Sequence, residues 1–201
     1  MKPLVPTAEM TLGPFFPREF AAGANDLAAG AEGEPIEITG RVVQADGRPL
    51  DNVVLEIWQA DAQGRFDNPA FFGWGRAATD STGMYVFRTV KPGASEGRAP
   101  HINFLILYSG LMRQLQTVMY FDDSPDPVLE NLKERSERLV AKKEAANRYR
   151  FDIRLRGYFG AVAERELGFP LAYSAGIAVR KSTEDSLEAM LRRAGSRIVR
   201  P

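Results

Sequence analysis

The chain contains one histidine, His101, and two residues further along the run APHINF stands Asn103. Side chains two apart on a strand face the same way, so a His-x-His here would present two imidazoles to one metal ion. A His-x-Asn presents one imidazole and a neutral amide. There is no cysteine in 201 residues, which excludes thiolate metal sites and disulfides. One imidazole does not make a metal centre, and the competing role for His101 is structural, donating to a backbone carbonyl or a carboxylate. Asp61, Asp67 and Asp80 lie beside turns and glycines, where aspartate commonly closes Asx turns. Asp122 and Asp123 precede a proline-bounded helix, where a carboxylate serves as a cap. Nucleophile-elbow, P-loop and dinucleotide-binding fingerprints are absent. The aromatic cluster FFGWGR, residues 71–76, reads as part of a long loop. It could be a ligand platform, a plug at one end of the fold or an interface with another chain.

The charges balance at 26 basic and 26 acidic residues, so neither nucleic acid nor a membrane surface is an expected partner. The first residues, MKPLVPTAEMTLGPFFP, are broken by proline and glycine and hold no apolar signal region, and no later run is long enough to span a membrane. These features read as a cytoplasmic protein whose partner is a small molecule or another protein.

Several elements could position His101. Residues 1–34 have little periodicity and form an N-terminal arm. From Pro35 the spacing predicts a strand over IEITGRVV, a turn at Asp46-Gly47, then a strand over VVLEIWQA. MYVFRTV places Tyr85, Phe87 and Thr89 on one face before Pro92-Gly93 stops it. HINFLILYS is apolar almost throughout, as expected of a strand covered on both faces, and QLQTVMYF is its neighbour. RYRFDIRL alternates strictly, with Tyr149, Phe151, Ile153 and Leu155 inward, and reads as an antiparallel strand. Between the last two, Asp126 and Pro127 open a surface helix with a stripe of Val128, Leu129, Leu132 and Leu139. A second helix is expected in the tail, from Ser182 to Gly195. About six strands with turn signals point to a mainly β fold, an antiparallel β-sandwich with an N-terminal arm and added helices.

The ordered strings GRVVQADGRPLDNVVLEIWQADAQGRF, GRAATDSTGMYVFRTVKPG, APHINF, YFDD and RYRFDIRLRG resemble the intradiol ring-cleavage dioxygenases from about Thr11 to Gly157. The resemblance is strongest to the metal-free alpha chain of the family's two-chain members. It implies a sandwich over residues 35–157, with the arm before it and a helical extension over 158–201. Catalytic chains of the family hold a ferric ion with two tyrosines and two histidines. The matched positions here are Phe66, Ser95, His101 and Asn103. Phenylalanine offers ferric iron nothing, while serine and asparagine offer only neutral oxygens. HINF therefore looks like a ligand strand that has lost its metal, with no metal ligand and no catalytic residue expected on this chain.

The resemblance further implies that Fe(III) sits on a homologous beta subunit, the iron-bearing partner. The arm segment MTLGPFFP would line the partner's substrate pocket through Thr11, Gly13 and Pro14, where glycine permits close approach and proline stiffens the chain. The assembled enzyme would cleave a catecholic acid, protocatechuate, with O2. Where the family's alpha chain carries an arginine for the substrate carboxylate, this chain has Ser109, with Arg113 four residues on. The rival reading is a metal-free sandwich serving as a binding or scaffold module.

Overall fold

The computed structural model describes residues 23–109, 111 and 114–155. Nine strands are found among these: β1 (Pro35–Gln44), β2 (Val54–Trp58), β3 (Trp74–Ala78), β4 (Met84–Val90), β5 (His101–Leu107), β6 (Leu115–Tyr120), β7 (Lys142–Ala145), β8 (Arg148–Arg150) and β9 (Ile153–Leu155). A helix α1 (Pro127–Leu132) and a 3-10 segment (Lys133–Leu139) lie between β6 and β7. One sheet runs β4-β1-β8-β7, with β9 also against β1, and the other runs β3-β2-β5-β6. The expected β-sandwich is therefore present. No helix among the described residues is long and apolar enough to cross a membrane.

The core lies between the sheets and follows the period of two. Ile36, Ile38 and Val42 of β1, Tyr85 and Phe87 of β4, Leu55 and Ile57 of β2, and Ile102, Phe104 and Ile106 of β5 all belong to it. The Phe104 ring meets Tyr85, Phe87 and Phe151 at centroid distances of 6.1, 6.1 and 5.3 Å. Each fully buried side chain of this size contributes roughly 1.5–3 kcal/mol over its exposed state. Gly40 makes one of these contacts possible. A Cβ on it would stand 1.9 Å from the Phe151 carbonyl oxygen and 2.7 Å from the Tyr85 hydroxyl, which donates to that carbonyl.

Four expectations need correction. The turn at Asp46-Gly47 closes on residues 48–50, through Gln44 N–H to the Arg48 carbonyl at 2.8 Å, and the chain then crosses to the other sheet instead of pairing β2 with β1. The segment FFGWGR is not all loop, because Trp74–Ala78 is the edge strand β3. Its inward position is Gly75, where a Cβ would strike Leu27 at 2.4 Å, so the strand shows no inward apolar residue until Ala77. RYRFDIRL points its side chains as expected but splits into β8 and β9; β8 is antiparallel to β7, as expected, while both pieces run parallel to β1. The ladder breaks where the Asp152 carboxylate takes the Arg41 amide at 2.9 Å. The surface helix begins at the expected cap, with the Val128 amide donating to Asp126 at 2.8 Å, but ends at Leu132 because Lys133 turns to φ 49. Strand β7 then takes up part of what was read as helix.

Two segments outside the sheets close the sandwich. Residues 24–27 bridge β3 and β4, with Arg76 N–H to the Ala24 carbonyl at 2.8 Å and Leu27 N–H to the Arg88 carbonyl at 2.7 Å. On the opposite side Ala141 N–H reaches the Tyr120 carbonyl at 2.8 Å. The second expected helix, Ser182 to Gly195, lies outside the described residues, as do Thr11, Gly13, Pro14 and Arg113.

Candidate functional site

Because Ile102, Phe104 and Ile106 point into the core, His101 and Asn103 point to the outer face of the second sheet. Their antiparallel partners share that face: Asn103 lies opposite Trp58 of β2, and His101 opposite Tyr120 of β6. The Phe66 ring stacks on Trp58 at 5.8 Å with 23° between planes, and Phe72 meets Trp58 edge-on at 6.0 Å. One face thus carries a row running Phe66, Trp58, Asn103, His101, Tyr120. Three of the four positions matched to metal ligands fall in this row.

The fourth, Ser95, sits at its margin in a two-residue hairpin. Ser95 and Arg98 exchange backbone hydrogen bonds of 3.2 and 2.8 Å across Glu96 and Gly97, which have φ of 51° and 75°. Positive φ at both central positions is the type I′ geometry that suits a tight hairpin. Ser95 is buried as a residue.

The loop that carries Phe66 is organised by Asp61. Its buried carboxylate accepts from the amides of Gln63 and Arg65 at 2.9 and 2.8 Å, from Arg65 Nε at 3.1 Å and from Asn68 Nδ2 at 2.9 Å. Burial pushes this carboxyl up, but the donors, the Arg65 amide first, outweigh it and hold it below the ordinary carboxylate value. The Asx-turn role expected for Asp61 and Asp80 is present, since Asp80 accepts from the Thr82 and Met84 amides at 2.8 and 3.0 Å. Asp122 does the same with the Ser124 amide at 3.0 Å.

His101 is buried, and its Nδ1 lies 2.7 Å from the Ala99 carbonyl oxygen. A carbonyl only accepts, so Nδ1 carries the proton and the neutral ring keeps its lone pair on Nε2. Desolvation, aided by the nearby Arg98 charge, lowers its pKa and keeps the ring uncharged at neutral pH. Metal-bound histidines are commonly oriented by the same kind of backbone bond. Here, however, the neighbouring positions supply a stacked phenyl ring, a buried serine and a neutral amide. These donors do not fit a ferric ion, and among the described residues no group of three or more His, Asp or Glu side chains is placed to hold a metal.

Beside His101 lies a polar cluster that sequence reasoning missed. Asp126, read only as a helix cap, also receives Arg98 Nε at 2.7 Å, the Ala99 amide at 3.1 Å and the Tyr120 hydroxyl at 2.8 Å. Arg98 in addition donates to the Tyr120 oxygen. Burial raises the Asp126 pKa, but Arg98, the Val128 amide and Tyr120 lower it by more, so the carboxylate is ionised. Burial drives the Tyr120 hydroxyl well above its ordinary value, and it remains a neutral donor. Members 22 and 28 residues from Arg98, on separate elements, leave no local sequence signal. The missing-arginine position, Ser109, is a half-buried residue in the turn after β5.

Four similarities to known proteins bear on this face. A dioxygenase family model matches residues 13–157. The protocatechuate 3,4-dioxygenase alpha chain of Burkholderia cepacia is 35% identical over 188 residues, covering 78% of this chain and 95% of the relative. The beta chain of the same enzyme is 32% identical over 206 residues, covering 82% and 86%. Among solved structures, the dioxygenase domain of a dioxygenase carbohydrate-binding fusion protein from Streptomyces sp. SirexAA-E superposes with a TM-score of 0.56 at 27% identity, over 76% of this chain and 99% of that one. With the sandwich, the HINF strand and a family match over most of its length, the chain belongs to the intradiol ring-cleavage dioxygenases.

Proposed function

We propose that this chain is the metal-free alpha subunit of a protocatechuate 3,4-dioxygenase, acting in the cytoplasm with an iron-bearing beta subunit. Fe(III) is the metal of the intradiol family. One observation carries the reading: at the positions that the family resemblance matches to ferric ligands this chain has Phe66, Ser95 and Asn103, beside a single imidazole, His101. The similarity to an alpha chain supports the same assignment.

In the assembled enzyme the iron of the partner supplies activation of the catecholic ring toward O2. The ring opens between the two hydroxylated carbons, both oxygen atoms enter the product, and protocatechuate becomes 3-carboxy-cis,cis-muconate. This chain contributes shape and no proton transfer. Thr11, Gly13 and Pro14 of the arm line the substrate pocket across a large subunit interface. Ser109, in place of an arginine, favours a second reading in which the chain is a scaffold that has lost any share in substrate binding.

The test is iron content and oxygen uptake with protocatechuate, for the chain alone and co-expressed with a candidate iron-bearing chain. Iron and activity confined to the co-expressed sample are expected, with Pro14→Ala then raising KM. Stoichiometric iron in the chain alone would overturn the assignment. A stable complex whose KM ignores substitutions at Thr11 and Pro14 would leave the scaffold.

A further inference from the structure

We propose that Arg98, Asp126 and Tyr120 form a latch that closes a separately opening cap, residues 95–99 and 127–139, over the outer face of the second sheet. Among the described residues the buried apolar side chains fall into two clusters of unequal size. The main core joins both sheets, whereas the second contains only Ala99, Val118, Tyr120, Val128 and Leu129, with Leu132, Leu139 and Val140 packed on it. Val118 and Tyr120 belong to the sheet, so the cap is attached through few apolar side chains of its own. The 3-10 segment has no buried residue and no side-chain cap. A unit so lightly packed opens at low cost unless something else holds it.

That hold is polar and joins three elements at one carboxylate. Asp126 takes Arg98 Nε and the Ala99 amide from the hairpin, the Tyr120 hydroxyl from β6 and the Val128 amide from α1. The Arg98 side chain is 12% exposed and that of Asp126 fully enclosed, so neither charge is screened by water while the cap is shut. Parting them breaks a charge pair before water can replace it, which makes the contact behave as a catch and not as a gradual spring. The backbone departs from regular geometry within both segments of the cap, at Glu96 and Gly97 in the hairpin and at Lys133 where α1 gives way to the 3-10 segment. Opening uncovers Tyr120 and the neutral ring of His101, whose centroid lies 5.9 Å from that of Tyr120.

His101 being the only histidine makes the test unambiguous. Native-state hydrogen exchange on the full chain, in the assembled complex if it requires one, is followed in urea well below the global transition. Amides of 95–99 and 127–139 are expected to exchange through an opening that leaves β1 and β4 protected. Asp126→Asn retains an oxygen for the Val128 amide and removes the charge, and it should lower protection in the cap about a hundredfold without changing β1 or β4. It should also make His101 reactive to an imidazole acylating reagent. Cap and core amides exchanging together in the wild-type chain would overturn the proposal, whatever the variant does. So would an Asp126→Asn cap as protected as the wild type.

Discussion

Replacing Asp61 by alanine should unfasten the loop that presents Phe66. The carboxylate holds two backbone amides, Gln63 and Arg65, at 2.9 and 2.8 Å, and two side-chain donors at 3.1 and 2.9 Å. The Arg65 side chain is 56% exposed, so water replaces that contact at little cost. The two amides and Asn68 lose partners worth about 1 kcal/mol each, giving a net destabilisation of about 2–4 kcal/mol. For a chain of this size that corresponds to a fall in Tm of about 10 °C. Asp61→Asn should cost less, because the amide oxygen still serves both backbone N–H groups while its NH2 is set against the donors of Arg65 and Asn68. The pH dependence separates charge from shape. The folded-state pKa of Asp61 lies below its unfolded value, so its contribution is present above the unfolded value and lost as pH falls through the folded one. The gap between wild type and Asp61→Ala should therefore be complete at neutral pH and narrow below about pH 4. Urea unfolding followed by circular dichroism gives the energies, and tryptophan emission reports Phe66 leaving Trp58. A loss under about 1 kcal/mol, or identical behaviour of the Ala and Asn variants, would refute the view that this carboxylate builds the loop.

Two further changes probe the sheet and the former ligand face. Gly40→Ala sets a methyl group against the Phe151 carbonyl and the Tyr85 hydroxyl, and should cost about 3 kcal/mol or more by displacing β8 and β9 from β1, measured by urea unfolding. Asn103→His restores a His-x-His on β5 but leaves positions 66 and 95 without anionic oxygen. Metal analysis after loading with ferric iron should find less than one iron per ten chains, and stoichiometric binding would contradict the donor argument.

Much of the fold was legible because one face of each long strand is buried. Ile36 and Ile38, Tyr85 and Phe87, and Tyr149 through Leu155 repeat every second residue and point as that period requires. The strands that escaped were those whose inward residue is small or absent. Gly75 hid β3, and β7 is exposed at all four positions, so neither carries the apolar alternation that marks a strand. Parallel pairing of β8 and β9 with β1 was beyond reach for another reason: alternation reports which way a side chain points and nothing about the direction of the neighbouring strand. The site was legible in part. His101 and Asn103 declared their shared face through spacing, whereas the Asp126 cluster depends on three elements meeting and has no expression in local sequence.

The division between the two faces of β5 also accounts for how a chain of this fold tolerates Phe66, Ser95 and Asn103 at the positions matched to metal ligands. Ile102, Phe104 and Ile106 secure the strand to the core, and nothing in that packing depends on what occupies positions 101 and 103. The outer face contains buried polar groups that require partners. His101 is satisfied by the Ala99 carbonyl, and the Arg98 charge by Asp126 and Tyr120. An ion bound by side chains from several loops fastens those loops to the sheet; here the Asp126 carboxylate fastens the hairpin and α1 instead, using charge already in the chain. Charge already in the chain thus ties the hairpin and α1 to the second sheet through one carboxylate, whatever occupies positions 66, 95 and 103.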